Sequence, residues 1–244
     1  MKTNFLIIPF PVRWKIYKSY CLFVILLALS YCSSISDKSI SGENKSPRTL
    51  PSIASGNSCE QILQTLQEDP NKIDFLEFRV VCSRHKNSRA HMPNVKFRLE
   101  IEELLQQQRY DAALEKTNAM FTNNYTDIMA HVYLDTIYTK TGRKSSSIFH
   151  NYMVKGLMRS IIQSGDGTSP ESAYYATTIN EEYAFLEIMG YFPGQQSLVT
   201  ANGHRYDVFV ATNKQTGDSY RVYFNVDEIF RAHQRTFGGS LENN

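Results

Sequence analysis

Several signatures that would name a chemistry are missing from this chain. No Gly-Lys-Ser or Gly-Lys-Thr follows its glycine-bracketed loop, Ser164 to Gly167, which excludes a phosphate-cradling P-loop. No Gly-x-Ser-x-Gly elbow occurs, so an α/β-hydrolase triad has no starting point. The histidines, His85, His91, His131, His150, His204 and His233, show no His-Glu-x-x-His spacing, and the cysteines form no Cys-x-x-Cys pair. Neither a metal site nor a cofactor is expected. A surplus of one charge is also absent: 26 basic residues face 24 acidic ones, which lacks the basic footprint of a nucleic-acid binder.

One absence is local. No acid precedes Cys32, whereas Lys2, Arg13, Lys15 and Lys18 all do. Without residues 1–31 the chain has 22 basic and 24 acidic groups, and it loses Trp14, its sole tryptophan. The basic stretch leads into "CLFVILLALSY", Cys21 to Tyr31, an apolar run of signal-core length. A bilayer crossing needs about 20 such residues, so the run reads as a signal peptide over 1–31. "LLALSYCSS" then resembles a bacterial lipobox, with Cys32 as the lipidation site and Tyr31 where a small residue is usual. The expected protein is exported to the cell envelope and anchored to a membrane by an N-terminal lipid. Its expected partner is another envelope protein.

Residues 32–58 are rich in Ser, Gly, Pro and Asn and read as a flexible tether. Cys59 and Cys82 remain, and an oxidising compartment permits a disulfide between them; two buried free thiols are the alternative.

From Cys59 to Ser164 the apolar spacing is helical. "CEQILQTLQEDP" has Ser58 as N-cap and Pro70 past its end. Later segments place Phe97, Ile101, Leu104 and Leu105 at helical spacing, then carry Ile128, Val132 and Tyr138 with Gly142 as a stop, and a last helix sets Ile148, Tyr152, Leu157 and Ile161 facing inward. Aligning Gln108-Arg109-Tyr110 with Gly142-Arg143-Lys144 gives the 34-residue offset of a tetratricopeptide-like hairpin repeat, about one and a half units long. After Gly190 the period becomes two. "SLVTA", "RYDVFVAT" and "SYRVYFNV" are predicted strands, the first two joined by the hairpin signal Asn202-Gly203, and "AYYATTI" is a further candidate. The fold class is α+β: a helical-hairpin bundle over 59–164, then a small antiparallel β-sheet with one helix over 165–235, then a tail over 236–244.

Taken together, Ser164 to Gly167, Ser172-Ala173-Tyr174, Glu181-Glu182-Tyr183, Gln196 with Leu198, and Tyr223-Phe224-Asn225 resemble the bacterial domain-of-unknown-function family 4919. The resemblance spans about Pro70 to Phe230, with Ser172 where threonine is commoner. It implies an exported or envelope protein and supplies no activity, substrate or catalytic residues.

The candidate functional residues are therefore read from chemistry. Asp166 between two glycines is either a turn after a helix C-cap or an oxygen ligand for a cation or other partner, although no EF-hand-like spacing completes it. Glu181 and Glu182 open a helix behind Asn180, an N-cap candidate, where acids complement the helix dipole. Adjacent helical residues point about 100° apart, so one glutamate is expected to turn inward and take a partner from Tyr183, His204, Arg205 or Asp166. The preferred reading is a buried network that orders the C-terminal unit. The alternative is an envelope hydrolase using Glu181 or Glu182 with Asp166, because carboxylates with split pKa values can drive hydrolysis. His131 and His150 lie on either side of a loop and could meet.

Overall fold

The computed structural model describes residues 56–84, 94–121 and 124–237. The expected signal peptide, Cys32, most of the expected tether, His85, His91 and the residues beyond 237 lie outside the described residues. Among the described residues, no helix is long and apolar enough to cross a membrane.

Among the described residues, six α-helices come first. In α1 (Cys59–Glu68), Ser58 accepts from the Gln61 amide while the Gln61 side chain accepts from the Ser58 amide. This reciprocal capping satisfies two backbone donors that a helix start leaves orphaned. α2 (Phe75–Ser83) begins at Asp74, whose carboxylate accepts from the Leu76 and Glu77 amides. A disulfide joins Cys59 to Cys82 and so ties the start of α1 to the end of α2. The remaining four are α3 (Val95–Gln106), α4 (Tyr110–Phe121), α5 (Ile128–Lys140) and α6 (Lys144–Ile162). α5 is the central helix, buried at Ile128, Met129, Ala130, Tyr133, Leu134 and Ile137. Against it α6 lays the stripe Met153, Val154, Leu157, Met158 and Ile161.

One expected inward residue points out, and a second apolar side chain is also exposed. Ile148 is 59% exposed, because it stands about 140° around α6 from Met153. Phe97 is 43% exposed on a groove between α3 and α4.

The turn after α3 and the turn after α5 have the same hydrogen bonds. Gln108 and Gly142 both adopt positive φ, 57° and 75°. The amides of Arg109 and Arg143 reach back to the carbonyls of Leu104 and Tyr138, and those of Gln108 and Gly142 to Leu105 and Thr139. Both are left-handed helix C-caps that satisfy orphan carbonyls. They recur at the 34-residue offset read from the sequence.

The second half holds β1 (Tyr174–Tyr175), α7 (Ile179–Ile188), β2 (Tyr191–Ala201), β3 (His204–Asn213), β4 (Ser219–Asn225) and α8 (Asp227–Phe237). The fold is α+β, eight described helices with a four-stranded sheet of order β1-β4-β3-β2. The three long strands pair antiparallel, but β1 runs parallel to β4, so the sheet is mixed. A parallel neighbour arrives by a long crossover, here through α7, β2 and β3, and leaves no hairpin signal in the sequence. α8 adds a second helix to the sheet half and ends at Phe237, two residues past the expected boundary. At the β2–β3 turn Asn202 and Gly203 take φ of 51° and 78°, the primed geometry that matches strand twist.

α7 packs across the sheet. The core between them is aromatic, with Phe185 and Phe224 ring centroids 5.7 Å apart, Phe209 and Phe224 5.8 Å, and Tyr174 and Phe185 4.5 Å.

Candidate functional site

The start of α7 concentrates charge. Thr178, not Asn180, caps the helix by accepting from the Glu181 amide, which places both glutamates in the first turn. Both turn inward: Glu181 is 2% exposed and Glu182 0%. They can do so because one faces the helical half and the other faces the sheet.

Glu181 meets Arg79 of α2 in a bidentate pair, Nε to Oε1 at 3.0 Å and Nη2 to Oε2 at 2.8 Å. Arg79 is itself fully buried and also donates to Ser160 Oγ and to the Tyr175 carbonyl. The Thr177 amide adds a third donor to Glu181. A charge this deep is tolerable only when paired and hydrogen-bonded, and each member here is. Two parallel pairs repeat the pattern. Arg84 binds Glu228 of α8 through Nε and Nη2, and Arg98 of α3 binds Glu187 of α7. Three arginines of the helical half thus reach three glutamates of the sheet half.

Glu182 is different. Neither of its oxygens meets a donor, and its neighbour is Asp207 of β3. Burial, then the charges of Asp207 and Glu181, push its carboxyl well above the usual range. Two close carboxylates cannot both ionise in a desolvated place, so Glu182 keeps a proton and donates it to Asp207. Asp207 is raised by burial too, and it also accepts from Gln196 Nε2 at 2.6 Å. Gln196 Oε1 in turn accepts from the Tyr183 hydroxyl at 2.9 Å. The chain Glu182–Asp207–Gln196–Tyr183 therefore fastens α7, β3 and β2 through one retained proton.

The other candidates stand apart. Asp166 is exposed and accepts from the Thr168 amide, the Thr168 hydroxyl and the Ser172 hydroxyl. The Asp166 and Gly167 amides both donate to the Ser172 carbonyl, and a Cβ on Gly165 would lie 2.2 Å from that oxygen. The loop is a tight wrap around the 170–172 turn, and its glycines are there for close approach. His204 Nδ1 meets Asp227 at 2.6 Å, and the Arg205 amide donates to the same carboxylate. That contact fixes the start of α8. The five residues thus occupy four places: Glu181 with Arg79, Glu182 and Tyr183 with Asp207, His204 with Asp227, and Asp166 within its loop.

His131 and His150 do meet, Nδ1 to Nδ1 at 2.9 Å, with His131 Nε2 against the Tyr125 carbonyl at 3.1 Å. Burial lowers both, His131 to about 3 with help from its neighbour and His150 to about 4, so the rings are neutral. Among the described residues no group of three His, Cys, Asp or Glu could hold a metal.

Outside these clusters, a groove of about 520 Å³ lies between α3 and α4. Phe97, Leu104, Ala112 and Ala119 line it, and Glu100, Glu115 and Lys116 rim it.

Arg79 and Asp207 were not among the candidates, yet both leave a trace. Arg79 interrupts the apolar run "FRVV" in a helix with little polar face, and Asp207 shares the strand face of Phe209 and Ala211 in "RYDVFVA". A charge at a core-facing register needs a partner.

The molecule is therefore an α+β protein in which helices and sheet are joined by internally satisfied charges. It belongs to the family described as Domain of unknown function (DUF4919), whose model matches residues 85–235, more than half of the chain. No curated protein and no solved structure matches it.

Proposed function

We propose that this is an exported, lipid-anchored protein of the cell envelope whose folded part binds or scaffolds an envelope partner. The carrying observation is the Cys59–Cys82 bridge, because such bonds persist where the surroundings are oxidising. The leader and Cys32 fit the same compartment. A binding role is favoured over a hydrolase built on Glu181, Glu182 and Asp166 by where those groups are committed. Both Glu181 oxygens are held by Arg79, Glu182 is sealed from solvent, and Asp166 is bound within its own loop. The recurring helix-end turns support reading α3 to α6 as tetratricopeptide-like, and such helical stacks present grooves to partners. The groove between α3 and α4 is the recognition surface in this reading.

Intact-mass analysis of the membrane fraction tests the anchor: a diacylglyceryl mass on Cys32 is expected, and an unmodified thiol there overturns it. Replacing Leu104 with Glu in the groove should abolish retention of the envelope partner while leaving the melting temperature unchanged.

A further inference from the structure

We propose that β2 pairs with β2 of a second copy of this chain, joining two four-stranded sheets into one eight-stranded sheet. β2 is the edge strand, eleven residues long, and the nine between its ends are exposed. An edge presents a row of unpaired amides and carbonyls, and the group that satisfies such a row is another extended strand. Natural edges are guarded by charge, proline or a bulge. In β2 the guards stand at one end only: Pro193, and the register shift between Pro193 and Gln196. From Gln196 to Ala201 the strand pairs with β3 residue for residue, so its outer side is regular.

The strand's chemistry selects an identical partner. None of its eleven residues is charged, so two copies meet without like charges opposed. Leu198, 54% exposed, and Val199, 39% exposed, point to opposite faces, so each face gains an apolar cross-strand neighbour. Antiparallel pairing brings the Tyr191 end of one strand toward the Ala201 end of the other. At the first end Lys214 lies over the Phe192 ring, and at the second Glu171 accepts from Asn202, so unlike charges approach. Assembly stops at two, because the opposite edge of the sheet, β1, is two residues long and packs against α6. Two six-residue strands cover less than the roughly 1,200 Å² of a stable interface, so the dimer is weak and reversible. This inference is independent of the anchor.

Sedimentation equilibrium of the detergent-solubilised full chain should show a concentration-dependent monomer–dimer equilibrium. Val199→Lys should raise its dissociation constant at least tenfold with unchanged far-ultraviolet circular dichroism. Should that variant fail to fold, Leu198→Glu on the other face is expected to act alike. A photo-crosslinking phenylalanine analogue at Thr200 should join to β2 of the second copy. A monomer at every concentration, open-ended aggregates, a dimer indifferent to both variants, or crosslinks outside β2 would each overturn the proposal.

Discussion

The helical half buries two imidazoles as neutral rings, whereas the sheet half buries a carboxyl as a neutral acid. His131 and His150 sit among Phe121, Tyr125, Tyr138 and Phe149, with Asp135 the nearby acid. Glu182 faces Asp207, with Glu181 and Tyr183 beside it on α7. Both arrangements avoid an unpaired buried charge, yet they do it on opposite sides of the proton balance. The imidazole pair is an acid-sensitive point in the helical half, and Glu182 is a base-sensitive one against the sheet. Between them runs the set of arginine–glutamate pairs.

The largest blow to this arrangement is loss of Arg79. Arg79→Ala strands Glu181 in a dry site and should cost about 3–5 kcal/mol in urea unfolding, whereas the double variant Arg79→Met, Glu181→Met should recover most of it. A double variant as unstable as the single one would mean that the pair's surroundings, and not its charge, hold the halves together. Next comes the bridge: Cys59→Ser with Cys82→Ser opens a loop of 23 residues and should cost about 3 kcal/mol by the same measurement.

The proton balance gives two smaller effects of opposite sign. For the histidines the folded pKa lies below the unfolded one, about 3 and about 4 against 6.5. Their contribution is full above pH 6.5 and is lost as pH falls from there through the folded values. A His131→Met, His150→Leu variant should show a flatter acid limb in a pH series of melting curves. For Glu182 the folded pKa is raised, so its contribution is full below the unfolded value and declines as pH rises toward the folded one. Glu182→Gln mimics the protonated acid and can still donate to Asp207. It should gain about 1 kcal/mol on the parent at pH 8 and lose that advantage at pH 4. An unchanged difference across that range would mean that the carboxyl is ionised when folded.

Much of the helical half was legible because its signals are local. The Ser58 cap, the Gly142 stop and the repeated Gln108 turn are each decided within six residues, and Asn202-Gly203 likewise announced its hairpin. What escaped depends on contacts distant in sequence. The expected partners of the glutamates were near them in the chain, whereas Arg79 lies 102 residues from Glu181. The parallel docking of β1 on β4 has no turn to betray it. Asn180 was an N-cap candidate by type, but Thr178 two residues earlier has the extended backbone and a hydroxyl aimed at the Glu181 amide. Ile148 failed because an apolar residue off the stripe looks identical in composition to one on it.

The sulfur bridge at the start of α1 has a mechanical consequence. Any pull reaching Cys59 from the N-terminal side is handed across to Cys82 and so to the far end of α2. α1 lies inside the covalent loop and carries none of that load, so it cannot be peeled open turn by turn. Phe78 and Val80, both fully buried, lie inside the same covalent loop and are shielded with it.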